Sequence, residues 1–316
     1  MTGPPPATAA VRLAVRRSLA DVTGPVAAAV SGGADSLALA AALAFERRGS
    51  WALVVDHGLQ AGSAAVAARA AAQCRSLDLT AEVLSDVQPA GTGEVTAGTG
   101  PEAAARELRY RLLDEAAGQF DLSVVLLGHT LDDQAETVLL GLARGAGARA
   151  LSGMAPIRDC YRRPLLDLPR ATTRQACHEA GVTPWEDPHN TDPGFSRVQA
   201  RRALPLLDQA LGPGIAGALA RTARQLREDV DALDALVEAP AGPEHDVRRL
   251  AQLAPAVRAR SLKRWAEQQC GRPLTSTHVE ALRALVEHWH GQGAVCLPGG
   301  STVVRDGAHL VHRPRG

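Results

Sequence analysis

Four short apolar runs recur in the first half of the chain, at 26–30, 51–55, 80–84 and 123–127. Between and after them lie segments with helical spacing of apolar residues, near 35–48, 62–78, 101–118 and 132–143. Brief apolar runs bounded by turn residues predict buried strands, whereas apolar positions three and four apart predict helices. Their alternation predicts an α/β domain, a doubly wound parallel sheet covered by helices on both faces. Ligands on such sheets bind beyond the carboxyl ends of the strands.

A further helical pattern runs from Arg170 to Ala180 and stops at Gly181. Pro184 to Pro193 is an irregular acidic loop crowded with Pro and Asx turn residues. Leu204 to Leu211 closes a first domain, 1–211, before Gly212-Pro213-Gly214. Residues 212–316 then predict a smaller, mainly helical domain. Its helices lie at 216–236, 256–269 and from about Leu274 to Trp289, with a Pro/Gly break at Ala239–Glu244. Short strands with Gly turns at 294–311 predict a closing β-hairpin. Gln88 to Gly100, rich in Gly and Thr, reads equally as a surface insertion or as a lid.

A length of 316 residues accommodates two domains and a large core. The formal net charge is zero, so no global field advertises a nucleic-acid partner. Lys263 is the only lysine, and the cationic charge is otherwise arginine. Arginine suits bidentate phosphate contacts, but with so much alanine a GC-rich genome explains the bias better. Cys74, Cys160, Cys177, Cys270 and Cys296 form no C-x-x-C and no metal spacing, which fits a reducing cytosol. A secretory signal pattern is absent, and no stretch is long and uncharged enough to span a bilayer. A soluble, cytoplasmic protein without membrane partners is expected.

The chemistry concentrates at the strand ends. Ser31-Gly32-Gly33-Ala34-Asp35-Ser36 joins the first predicted strand to the first predicted helix of the sheet. Unpaired N–H groups and the positive end of the helix dipole make such a junction an anion site. Gly32 and Gly33 permit close backbone approach, and Ser31 and Ser36 add hydroxyl donors. The loop has no lysine for a γ-phosphate, so it is not a Walker A loop. Plain helix capping by Ser and Asp is the competing reading.

Gly128-His129-Thr130-Leu131-Asp132-Asp133-Gln134-Ala135-Glu136-Thr137 is a second strand-to-helix junction. Asp133 and Glu136 share a helical face and suit Mg²⁺ or a cationic amine, with ordinary helix-start charge as the bland alternative. Arg106 and Arg109 share a face near Tyr110, where an Arg106–Tyr110 contact is the simpler account. Val54-Val55-Asp56-His57-Gly58 ends the second strand, where a nucleoside would lie. Phe195 to Arg202 is a basic cluster, with Arg197 and Arg201 placed for phosphate or simply for solvent.

In this order the segments resemble the tRNA(Ile)-lysidine synthetases, a family of PP-loop ATP pyrophosphatases. The pattern continues through Arg144 to Met154, Arg163-Pro164-Leu165-Leu166, the Asp187-to-Arg201 segment and, more loosely, Leu297-Pro298-Gly299-Gly300. The chain departs from the pattern where Thr130 stands for a second His, His189 for a Ser, and Phe195 and Val198 for a Tyr and an Asn. This puts any role of those side chains in doubt, though both Arg197 and Arg201 remain. The resemblance implies ATP and Mg²⁺ as cofactors, and L-lysine and a tRNA(Ile) with a CAU anticodon as partners. It implies that residues 31–36, His57, Gly128 and His129 bind the nucleotide, with Asp35 a helper for Mg²⁺. Asp133 and Glu136 would hold the lysine ammonium, with Asp132 as the substitute if the helix phase differs. Arg106, Arg109, Arg197 and Arg201 would bind nucleotide phosphates or RNA. Self-association into a homodimer stays open. The rivals are an RNA thiolase on the same fold, which needs a sulfur-carrying thiol or cluster, and a nucleotide-binding module without catalysis.

Overall fold

A computed structural model of the protein describes residues 3–56, 58, 62–85, 101–187, 192 and 194–315. It divides into two compact units, Met1–Leu226 and Arg227–Gly316. The division falls within a long helix rather than at the Gly212-Pro213-Gly214 break.

In the first unit the elements run α1 (Pro6–Ser18), β1 (Val26–Val30), α2 (Ala34–Glu46), β2 (Trp51–Asp56), α3 (Ser63–Ser76), β3 (Thr80–Ser85), α4 (Pro101–Gln119) and β4 (Val124–Leu127). They continue with α5 (Leu131–Ala143), α6 (Ala148–Leu151), β5 (Ile157–Arg158), β6 (Tyr161–Arg162), α7 (Arg170–Glu179), α8 (Ser196–Leu211) and α9 (Ile215–Ala235). The sheet order is β3-β2-β1-β4-β6-β5. All pairings are parallel except β5 with β6.

Alternation along β1 divides its side chains between two cores. Val26, Ala28 and Val30 pack with Leu37, Leu39 and Leu43 of α2 and with Val11 and Val15 of α1. Ala27 faces the other way, with Leu53, Val125, Leu113 and Ala116. A strand buried on both sides must be apolar throughout, as β1 and β4 are. The α2 sequence, rich in Ala and Leu, combines strong helix propensity with burial on nearly every side.

The connection from β1 leads to β2 on one side, while β4 lies on the other side of β1. The space beyond β1 and β4 is therefore the topological switch point, where the ends of two neighbouring strands diverge. Residues 31–36 and 128–130 both sit there, Ala29 of β1 pairing in register with Leu127 of β4.

The second unit holds β7 (Glu244–Asp246), α10 (Val247–Gln252), α11 (Pro255–Cys270), α12 (Ser276–Glu287), β8 (Val295–Cys296), β9 (Thr302–Asp306) and β10 (His309–Arg313). Its core gathers Leu250, Leu262, Trp265, Leu282, Leu285, Val303 and Leu310. The expected hairpin is β9–β10, but β7 joins β10 and β8 joins β9 to give a four-stranded antiparallel sheet. The Pro/Gly break at 239–244 thus ends in a strand. Arg258 is a fold residue. Its guanidinium donates to the carbonyls of Leu250, Ala251 and Leu253 and to Glu287.

Candidate active site

Gly32 adopts a φ of +82°, a conformation that side chains rarely accept, and this turns the chain from β1 into α2. Gly33 is the N-cap, with no side chain to cap the helix. The first-turn N–H groups therefore have no intrahelical acceptor and face the switch point. Ser36 braces the loop: its hydroxyl accepts from the Ser31 N–H at 3.2 Å and donates to the Gly33 carbonyl at 2.9 Å. Ser31 itself is exposed, with its hydroxyl 3.3 Å from that of Ser36. Gly128 serves packing, since a Cβ there would stand 3.2 Å from the backbone of Ser36. The carbonyl of Gly32 accepts from the Trp185 N–H at 2.9 Å, fixing the start of the acidic loop against the phosphate loop.

Thr130 is the fully buried N-cap of α5 and forms a capping box with Asp133. Asp133 Oδ2 accepts from the Thr130 N–H at 2.8 Å and its hydroxyl at 2.9 Å. The departure from histidine at this position therefore has a local structural role. Gln134 clasps both main-chain groups of Met154, at 2.7 and 3.1 Å, which ties the Gly153-Met154 segment to α5.

One residue the sequence did not single out organises the acidic groups. Arg170 Nη2 lies 2.5 Å from Asp133 Oδ1, and its Nη1 lies 3.1 Å from Glu136 Oε1. Its Nε is 3.6 Å from Asp35 Oδ2, and its main-chain N–H donates to Asp132 Oδ2 at 2.7 Å. Thr173, one turn on, donates its hydroxyl to Asp35 Oδ1. Arg201 Nε also reaches Glu136 Oε1, at 2.8 Å, so this cation, expected at phosphate or RNA, has a carboxylate partner. Glu136 is 1% exposed, and its second oxygen, Oε2, is buried without a partner among the described residues.

These contacts set the protonation states. Burial raises the Asp35 carboxyl above its ordinary range, against the pull of Thr173 and Arg170. Burial acts in the same sense on Asp133, but Arg170 and the Thr130 donors hold it below. Burial pushes His129 down to about 4, with Arg163, Arg197 and Arg106 adding to it and Asp133 opposing. His129 is thus neutral at physiological pH, and its Nδ1 is buried without a partner among the described residues. Arg109 is lowered by burial and by Arg106 and Arg197. Arg106, Arg109, Arg197 and His129 therefore share one electrostatic neighbourhood, next to Asp133.

Arg106 also lies over the Tyr110 ring, 5.1 Å from its centroid, so the simpler contact foreseen for it exists. With Tyr110, Asp114, Arg158 and Tyr161 it lines a cavity of about 820 Å³. Val198 is buried, which accounts for an apolar residue where the family pattern carries Asn. His57 and His189 lie outside the described residues. Among the described residues, no group of three or more His, Cys, Asp or Glu could hold a metal ion, and no helix is long and apolar enough to cross a membrane. All five cysteines are free thiols, and burial raises Cys74 and Cys177 to about 11, far from thiolate character.

Two family descriptions match the chain: the PP-loop domain over residues 12–207 and the TilS substrate binding domain over 246–311. The tRNA(Ile)-lysidine synthase of Rhodococcus jostii is 50% identical, the match covering 98% of this chain and 94% of that one. That of Thermobifida fusca is 50% identical, with 95% of each chain covered. The Streptomyces coelicolor synthase is 45% identical over 98% of this chain and 99% of its own. Among solved structures, a U34-tRNA thiolase from Methanococcus maripaludis superposes with a TM-score of 0.58 at 18% identity, over 70% of this chain and 80% of that one. At that identity the likeness speaks for the fold alone.

Proposed function

The chain belongs to the tRNA(Ile)-lysidine synthase family, and from that premise we propose how its residues divide the reaction. The activity is ATP-dependent formation of lysidine in tRNA(Ile). In the first step O2 of the wobble cytidine, in a CAU anticodon, attacks the α-phosphorus of ATP and pyrophosphate leaves. In the second, the ε-amine of L-lysine attacks C2, loses its proton, and AMP departs.

Residues 31–36 cradle the departing pyrophosphate with first-turn N–H groups and the Ser31 hydroxyl. Charge stabilisation of this kind dominates phosphoryl-transfer catalysis. Mg²⁺ neutralises phosphate charge when bound. Asp35, at the start of α2 beside the phosphate loop and bonded to Thr173 and Arg170, would be the residue to help hold it. Asp133 and Glu136 hold the lysine ammonium, and their carboxylates favour a cation until the amine is deprotonated for attack. Arg106, Arg109 and Arg197 form the cationic side of the site, suited to nucleotide or RNA phosphate. The second unit supplies tRNA affinity, and the reaction runs in the cytosol.

One observation carries the assignment of the amine. Glu136 presents a buried oxygen with no donor among the described residues, next to a phosphate loop at the switch point. A buried carboxylate oxygen is costly unless a donor arrives. Incubating the protein with labelled lysine, ATP and a CAU-anticodon isoleucine tRNA transcript tests the reading. Label should enter the tRNA with stoichiometric AMP and pyrophosphate. Label without AMP, or ADP as the product, overturns it.

A further inference from the structure

We infer that Arg170 is a positioning residue that couples the phosphate loop to the amine site, by orienting Asp35 and the Asp133–Glu136 pair from one guanidinium. The inference rests on the amine reading above. Arg170 is the first residue of α7, yet its side chain meets groups from two other helices: Asp35 at the start of α2, and Asp133 and Glu136 at the start of α5. Its own main chain is tied to both. The Arg170 N–H is held by Asp132, and its carbonyl lies 2.9 Å from the Thr173 hydroxyl that serves Asp35. The side chain is 16% exposed, so the contacts are shielded from solvent and weakly screened.

Charge and geometry assign it a supporting role rather than the place of the substrate. Asp35, Asp133 and Glu136 all meet the Arg170 guanidinium, and Glu136 also meets Arg201. Both guanidiniums converge on Glu136 Oε1, and among the described residues no donor meets the buried Oε2. That arrangement fixes the carboxylate plane while keeping one oxygen for an arriving ammonium. The same guanidinium fixes Asp35 beside the phosphate loop, so displacing Arg170 disturbs both half-reactions.

The test measures lysine KM, ATP KM and kcat for lysidine formation in Arg170→Gln and Arg170→Lys, with the folded fraction scored by thermal melting. Arg170→Gln should raise lysine KM roughly tenfold to a hundredfold, the range seen when an outer partner of a ligating group is lost. It should lower kcat as well. Arg170→Lys should recover part of the kcat loss but little of the lysine KM, since an ammonium cannot span three carboxylates in a planar fork. Combining Arg170→Gln with Glu136→Gln should cost much less than the product of the single effects, because one acts through the other. If Arg170→Gln does not fold, Thr173→Val replaces it: loss of the Asp35 tether should lower kcat with lysine KM nearly unchanged. A folded Arg170→Gln enzyme with wild-type lysine KM overturns the inference, as does a double variant whose effects simply multiply. A wild-type protein that attaches no lysine would instead sink the underlying reading.

Discussion

The main-chain N–H of Trp185 donates to the carbonyl of Gly32 at 2.9 Å, joining the segment after α7 to the turn that opens the phosphate loop. The two peptide groups hold each other's orientation. Gly32 is committed to its left-handed conformation from both sides: by the helix start that follows it and by this bond.

Gly32→Ala should therefore cost about 1–2 kcal/mol of stability, the strain of a side chain in that conformation. Its Cβ would also press on Ala70 at 3.4 Å. Urea denaturation reads the stability loss. ATP KM should rise alongside it, because any relief of the strain turns the loop N–H groups.

Ser36→Ala and Asp35→Asn should lose activity far out of proportion to stability. Ser36 makes two local hydrogen bonds, worth about 1 kcal/mol each. Denaturation midpoints and turnover per folded molecule, measured on the same samples, separate the two effects. Normal turnover per folded molecule would mean that the hexapeptide only caps a helix.

Stability should fall with acidification between about pH 6.5 and 4. His129 and His245 are both pushed down to about 4, His245 mainly by burial beside Ser261 and Trp265. A histidine depressed in the fold binds its proton more readily once unfolded. The native state then loses stability as pH drops below the unfolded value near 6.5. Denaturant midpoints across that range check the slope, and His245→Gln should flatten it.

The cations of the second half should separate into two classes. Arg258→Ala should destabilise the second unit by about 2–3 kcal/mol, since a charged donor leaves three carbonyls and Glu287 behind. Arg264→Ala and Arg221→Ala, at exposed positions, should leave the melt unchanged. They should weaken tRNA binding and reduce its salt dependence by about one counterion each.

The parallel core of the first unit was legible because β1 to β4 are apolar runs separated by long helical patterns. Helix α1 was not, since only Val11 and Val15 of its thirteen residues are buried and alanine carries no periodic signal. Strands β5 and β6 are two residues each, too short to show alternation. Strand β7 is three residues emerging from a Pro/Gly stretch, and only its pairing with β10 makes it a strand.

At the site, the phosphate loop and the acidic helix start were legible because each is contiguous in sequence. Arg170 was not, because its carboxylate partners lie 37 and 34 positions earlier in the chain. The only local hint was a basic residue at a helix start, where the dipole disfavours it. Placing a cation there requires compensating carboxylates from elsewhere. The double duty of Asp133, capping α5 with one oxygen and meeting Arg170 with the other, is equally invisible without the fold.

The central claim is that the phosphate loop activates the RNA while the buried acid pair admits the amine. The direct measurement follows pyrophosphate release and lysine attachment together in Glu136→Gln. Glu136 is 1% exposed and shared by two arginines, so its neutralisation removes a partner that a buried ammonium needs. The account predicts first-turnover pyrophosphate release near the wild-type rate with unchanged ATP KM, while lysine KM rises sharply. A variant with wild-type lysine KM but weakened Mg–ATP binding would contradict it, and would mean that Asp133 and Glu136 hold the metal.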